Sequence, residues 1–579
     1  MKKKSLIPVS VLLLPAAAGL VYYFMFMKNL NDRIVIPYIS HQKPRIDPHV
    51  PGAVPLSSKL DEVLFDGLFN VSANKSGIVY EDGLGEFMGI DNNAVVSVRL
   101  KANRKWHSSW AVSMEKKKIT VTPREAALFT AKDLKFTLRR IQSLGSLSPD
   151  YILVSQAVKD FDFSGPDENG EIKLQFGRDR IWSEGDIKEV LSFKVLPGTS
   201  EMNAAEYTVG TGPFPKAGEF EENLFFKKMP EGIANIGNVI LRPFIDNSTF
   251  TTELRNGNIN VLLTTPCGSV SPILGDSLRF FCKSNISNTF FALFYNTERL
   301  DLARRQALRR LIDNKKILSR FFKMGTAQQR HVINYKGAND NYGDYLNFSV
   351  FPASSYYVEE KIVTPLNDSL PADLSLFTDT LRIKTCTNND YREELSELVA
   401  ILNDPTVGMG KIRATAVSND EIARGEYDAV LVPVSGYRSN FLFDLYTVFL
   451  REPDFNASRI NLQTQLNPAT GEKGVDNRSF TSDKNFFRLD LSRQDAQFES
   501  IKKLLDCIYG FMSTSEIGDK QAYAQQIDLL EQELALGSWL FSLPSLAYFS
   551  TQFNRNTVDL YGIASQLSTI EKWQETKKK

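Results

Sequence analysis

Residues 95–141 read VVSVRLKANRKWHSSWAVSMEKKKITVTPREAALFTAKDLKFTLRRI, and the two ends of this stretch set the fold class. At its start Val96, Val98 and Leu100 fall on one face of an alternating run, the period-two pattern of a half-buried strand. Near its end Thr130-Ala131-Lys132-Asp133 forms a capping-box pattern, in which a hydroxyl and an acid three residues apart satisfy each other's backbone N–H groups. Leu134, Leu138 and Ile141 follow at i, i+4 and i+7, the spacing of an amphipathic helix.

The same alternation continues outward. Phe161 to Glu171 holds Gly165-Pro166-Asp167-Glu168-Asn169-Gly170, a turn between two strand-like runs whose acids do not match the EF-hand spacing. Val239 to Phe244 reads as a strand, Ser248 to Asn256 as a short helix, and Asn258 to Val261 as the entry to another strand. Phe290 to Tyr295 is an apolar strand-type run, and Asp301 can cap a helix that turns Leu308, Leu311 and Ile312 inward. Leu381 to Thr385 and Asp428 to Val432 are further buried strands. Phe498, Ile501, Leu505 and Ile508 mark a late helix with Cys507 in its core, another helix runs near Gln521 to Leu534, and Trp539 to Phe549 is apolar. Strands that alternate with helices predict an α/β architecture. No fixed-period repeat is present, and Pro352 to Asp373 reads as an irregular surface loop.

A chain of 579 residues is too long for one compact core. Hydrophobic residues make up 42% of it, enough for real cores. Lys+Arg and Asp+Glu are both 68, a balance that argues against nucleic acid as a partner. The four cysteines, Cys267, Cys282, Cys386 and Cys507, contain no C-x-x-C pair, so no zinc ribbon or thioredoxin-like motif is signalled. Cys267 and Cys282 are near enough in sequence to close a small loop as a disulfide in an oxidising compartment. The other reading is a pair of thiols buried as small apolar groups.

At the N-terminus Lys2, Lys3 and Lys4 precede 23 uncharged residues, Ser5 to Met27. As a helix these span roughly 35 Å, enough to cross a bilayer. A cleaved signal would turn polar after Ala16-Ala17-Ala18-Gly19, but Leu20 to Met27 stays apolar, which favours an uncleaved anchor at 1–27 over a signal sequence. The lysines then keep the N-terminus cytoplasmic and place the remainder outside, as a single-pass protein of the inner membrane. Residues 28–55, with Pro37, Pro44, Pro48, Pro51 and Pro55, read as an extended tether.

Catalytic signatures are missing: no G-x-x-x-x-G-K-[ST], no G-x-G-x-x-G after a strand, no H-E-x-x-H and no G-x-S-x-G. His41, His49, His107 and His331 are scattered without ligand-like spacing. The expectation is a protein that is not an enzyme and uses no cofactor or metal.

Several segments, in one order, resemble the family 5 solute-binding proteins of ABC importers, which carry peptides, nickel and similar small solutes. Leu60-Asp61-Glu62-Val63-Leu64-Phe65-Asp66-Gly67-Leu68 is similar to that family's early "LFDGL" helix. Val98-Arg99-Leu100-Lys101, Lys105-Trp106-His107 and Phe129 to Phe136 resemble its "LR…WHDG…TAEDV" signature. Tyr207 to Phe214 resembles its "GTGPF/Y" turn, and Leu254 to Asn260 its "L-x-x-G-x-I-D". Phe294-Tyr295-Asn296, Ala303 to Leu308 and Ile312-Asp313 resemble "N…VRQAL…AID". Glycines at 210 and 212 would allow a tight turn that Pro213 closes, and Trp106 reads as a packing anchor. The chain lacks the family glycine after Trp-His, and its insertion from Ala111 to Thr122 carries Lys116, Lys117 and Lys118, read as a solvated loop or a docking loop.

The resemblance implies a bilobal periplasmic-binding-protein-like α/β fold with crossing strands and a ligand cleft closed by a hinge. It sets lobe one at 56–280 with an extra small domain at 76–194, lobe two at 281–519, a C-terminal return to lobe one at 520–565 and a polar tail at 566–579. It also implies a binding loop. Peptide-binding members carry "G-W-x-x-D" after a buried strand, and the acid there pairs with the peptide α-ammonium. The matching stretch is Ser435-Gly436-Tyr437-Arg438-Ser439-Asn440, with Asn440 in the acid's place and Tyr437 available to stack on a ligand. An amide cannot neutralise a buried ammonium, and Arg438 adds a cation, so this alignment predicts a neutral or anionic ligand. In a shifted alignment Asp444 is the acid and Arg438 lies on the surface. Two roles follow: capture of a small molecule or peptide for an ABC permease, or a solute-binding fold retained as a structural or interaction part of an envelope complex.

Overall fold

The computed structural model describes residues 32–39, 43–50, 56–74, 77–115, 118–178, 182–263, 271–323, 345–352, 372–387, 391–434, 445, 448–449, 464–466, 473–475, 485–489, 497–514, 517–558, 567 and 569–576. The N-terminal apolar stretch lies outside them. Among the described residues no helix is long and apolar enough to cross a membrane.

A four-stranded sheet forms the first core. Its order is β1 (Arg33–Ile39), β11 (Asn238–Phe244), β10 (Asn223–Lys227) and β9 (Lys216–Phe220), with β1 parallel to β11 and the other pairs antiparallel. Helix α1 (Leu56–Leu64) packs Leu60, Val63 and Leu64 on it. This corrects the reading of 28–55 as an extended tether. Ile34 and Ile36 are fully buried, and β1 is an edge strand, where Pro37 removes no hydrogen bond the sheet needs. On the chain beyond β1, Asp47 and His49 are buried against Arg140. The stretch after 566 differs too: Leu567, Ile570 and Trp573 belong to this core rather than to a polar tail.

The second core lies between Leu68 and Val195 in sequence. It pairs the sheet β4 (Gly85–Ile90), β5 (Val95–Leu100) and β8 (Glu171–Gln175) with helices α2 (Ala131–Leu144), α3 (Tyr151–Ala157) and α4 (Glu184–Val190). Both halves of the opening sequence stretch are realised. Val96, Val98 and Leu100 face the core, and the Thr130 N–H and Asp133 carboxylate close the capping box at 2.7 Å. The hairpin β2 (Phe69–Asn74)–β3 (Gly77–Asp82) flanks it. The lysine-bearing insertion is not a loop but a second hairpin, β6 (Trp110–Glu115)–β7 (Lys118–Pro123), because Val112 and Met114 pair with Val121 and Ile119.

A six-stranded sheet organises the rest, in the order β12 (Val261–Leu262), β19 (Gly537–Ser550), β13 (Phe280–Tyr295), β16 (Ala429–Val434), β14 (Leu381–Thr385), β15 (Ile412–Ala416). Side chains alternate across it with period two. Phe290, Ala292, Phe294, Val430 and Val432 enter one core with α11 (Asn419–Ala423), α12 (Phe498–Ser513) and α13 (Ile517–Leu534). Phe291, Leu293, Tyr295, Ala429 and Leu431 enter the opposite core with α7 (Leu302–Leu311), α8 (Asn314–Lys323), α9 (Arg392–Leu402) and α10 (Pro405–Gly408). Helices α5 (Asn247–Arg255) and α6 (Ser271–Leu274) bury a small cluster around Tyr548, and β17 (Thr464–Leu466) pairs with β18 (Lys473–Val475).

The long strands β13 and β19 join these bodies. Phe280 to Ile286 pairs with Ser550 to Pro544 beside β12, and Phe290 to Phe294 pairs with Ser542 to Gly537 beside β16, with a register shift between. The C-terminal return to the first core therefore happens inside β19. It does not begin at 520, because α13 packs Ala524, Ile527 and Leu534 with α12.

Candidate ligand-binding cleft

Parallel strands β14, β15 and β16 end on one edge of the six-stranded sheet, and that edge is where β13 and β19 leave it: Val434 pairs with Phe290, which pairs with Ser542. In open α/β sheets the crevice outside the carboxyl ends of such strands is the usual ligand position. Polar groups cluster there. The buried Thr385 hydroxyl donates to the Leu431 carbonyl at 2.8 Å, and the Thr289 and Tyr391 hydroxyls share a hydrogen bond of 3.1 Å. Thr289 and Tyr391 had no sequence signal, since they stand 102 positions apart.

The sequence beyond Val434, where β16 ends, carries Tyr437, Arg438, Asn440 and Asp444. All four lie outside the described residues, and the structure brings the strand that precedes them to the crossing point. Cys267 also lies outside them. Cys282 sits on β13 against Tyr548, and burial pushes its thiol up to about 11, so it is protonated at neutral pH. Among the described residues no group of three or more His, Cys, Asp or Glu is placed to hold a metal.

Three of the resembling motifs, the early helix, the Trp-His pair and the Gly-Thr-Gly turn, meet beside the first core. The His107 backbone N–H donates to the Gly210 carbonyl at 2.9 Å. Its Nδ1 accepts from the Gly210 N–H at 3.1 Å, which leaves Nε2 to donate to the Gly212 carbonyl at 2.9 Å. The Gly212 N–H in turn donates to the Leu64 carbonyl of α1 at 2.9 Å. Neither glycine has a positive φ. Space is what requires them, since a Cβ on Gly210 would lie 1.8 Å from the Leu64 oxygen. Trp106 packs edge-on against Phe129 at 6.3 Å, a packing anchor. Asn260, fully buried, accepts from the Val35 N–H at 2.6 Å and donates to the Arg33 carbonyl at 2.8 Å, which binds the "L-x-x-G-x-I-D"-like segment to β1.

Two buried groups give the fold opposing pH responses. Burial lowers His107 to about 4, so between that value and the ordinary 6.5 only the unfolded chain takes up the proton, and stability falls as pH drops through this window. Burial raises Asp528 to about 7, although the Ser349 hydroxyl and Val350 N–H hold it, so its contribution is lost as pH rises from about 4 towards 7. Asp528→Asn removes the second response. Its thermal midpoint is expected to rise from pH 4.5 to 6.5 more steeply than that of the unaltered chain. Parallel melting curves for the two proteins would contradict this.

No protein-family model matches the chain, and no curated protein does. Solved structures do. NikZ from Campylobacter jejuni in complex with Ni(L-His) is similar at a TM-score of 0.61 and 16% identity, over 94% of this chain and 100% of that one. A putative peptide binding protein, AppA from Clostridium difficile, gives 0.65 and 12%, over 94% and 100%. A dipeptide binding protein from Pseudoalteromonas in complex with Met-Leu gives 0.62 and 14%, over the same shares. The chain thus has an α/β periplasmic-binding-protein-like fold, and its structural neighbours are family 5 solute-binding proteins, a non-enzymatic family.

Proposed function

We propose that this chain is itself a family 5 solute-binding protein: it holds a small solute between two lobes outside the cytoplasm and delivers it to an ABC permease. The observation that carries this is the crossing of β13 and β19 at the carboxyl ends of β14 to β16, which gives a two-strand connection beside a polar rim. Lobe one then takes in 33–50 and 567–576 besides the 56–280 read from sequence, with residues 68–195 as its extra domain. The N-terminal 1–27 is the membrane anchor. The loop 435–444 is the ligand contact, and Asn440 with Arg438 selects a neutral or anionic solute over a free-amine peptide.

Native mass spectrometry of the full chain released from detergent tests this. A mass excess that vanishes on denaturation is the expected result, and the denatured mass reports whether residues 1–27 are retained. A dipeptide that binds with micromolar affinity or better, and is lost in Asn440→Ala, would overturn the ligand class while sparing the function. No excess, with no thermal shift from peptides, sugars, metals or organic anions, would favour a scaffold role in an envelope complex.

A further inference from the structure

The bodies joined by β13 and β19 touch at a second place. Helix α3 turns Val154 and Ala157 into the core of the extra domain but Leu153 into the core that α12 and α13 build on the six-stranded sheet. Nearby, Lys520 Nζ lies 3.0 Å from Asp186 Oδ1, across 334 positions of sequence. Lys520 is 4% exposed and Asp186 7%.

Lys520 is not explained by its own helix. Lys520 stands in the first turn of α13, where the helix dipole disfavours a cation. Asp186 already serves α4: its Oδ2 accepts from the Ser183 hydroxyl at 2.8 Å and, at the N-cap, from the Ser183 N–H. The capping bonds fix that carboxylate and leave Oδ1 directed at the other body. A buried charge is tolerated when paired and costly when its partner is missing. Partial separation would strand the buried Lys520 ammonium, whereas full separation returns it to water. That leaves two favourable arrangements, paired or fully open.

The geometry points to a latch between the extra domain and lobe two, in which Asp186–Lys520 and the seat of Leu153 hold the lobes together without a ligand, and whose release opens the cleft. This rests on the two-lobe reading proposed above but on no property of the solute, so the latch and the solute can fail separately.

Hydrogen–deuterium exchange of the full chain in detergent, with no ligand added, tests it. Lys520→Met is expected to raise exchange about tenfold in 151–157 and 184–187 as well as in 517–524, because the variant lacks the ammonium that reaches Asp186 across the two bodies. Peptides from β8 and from Phe290–Tyr295 keep their protection. Asp186→Asn, which retains the capping acceptor, gives the same pattern, and adding it to Lys520→Met produces little further change. The latch is overturned if 151–157 and 184–187 stay protected while only 517–524 loosens. It is equally overturned if both variants lose protection in β8 and β13 alike, since the pair would then be a folding contact.

Discussion

Replacing Gly210 by alanine is expected to destabilise the first core by about 3–5 kcal/mol, beyond the usual overpacking cost of about 1–3. The added Cβ would stand 1.8 Å from the Leu64 oxygen and 2.8 Å from Phe65 Cδ1. Moving α1 away does not relieve this cheaply. The same Leu64 carbonyl accepts the Gly212 N–H, and the turn is clasped on its other side by His107. Gly257 is the control. It has a φ of +73° and open space around it, so alanine there meets only backbone strain, about 1 kcal/mol. Thermal melts of the two variants should separate clearly. Equal effects would show that turn conformation, not contact with α1, is what selects glycine at 210.

Trp573→Ala is expected to cost about 3–5 kcal/mol, the range for deleting a large buried aromatic side chain. The indole is fully buried, edge-on to Phe549 at 5.1 Å, close to Phe553 at 6.3 Å, and its N–H donates to Thr569 Oγ1 at 2.9 Å. The midpoint of the transition that melts β1 and β11 should fall by on the order of 10 °C. Truncation after residue 566 should do at least as much. A truncated chain that melts within about 2 °C of the full one would mean the tail contributes nothing to this core.

These two sites mark what the sequence made legible. The Gly-Thr-Gly turn, the Trp-His pair and the early helix each carry a local pattern, and the structure packs all three together. The capping box at Thr130 and the alternation in β13 and β16 are local as well, so they were readable directly. Trp573 was not, because Glu571, Lys572, Gln574 and Glu575 surround one aromatic residue and hide it among polar neighbours. β1 was obscured in a similar way: five prolines between 37 and 55 suggested extended chain, while the strand signal is confined to Ile34 through Ile39. Contacts such as Asp186 with Lys520, or Thr289 with Tyr391, depend on folding over hundreds of positions and leave no trace in local spacing.

The burial of β1 also fixes a length. The first strand starts at Arg33, and the apolar N-terminal run ends at Met27. The intervening residues, 28–32, reach at most about 17 Å when fully extended. A body of this size has a radius of gyration of roughly 24 Å. If 1–27 stays in the bilayer, the leash is shorter than the body it holds, and free tumbling is forbidden. The corner bearing Asp32 would then face the lipid. Glu575 accepts a hydrogen bond from the Asp32 N–H at that same corner. In the importer role proposed above, and with that anchor, a permease would meet this protein in one standing posture, always from the same side, rather than waiting for it to arrive by rotation.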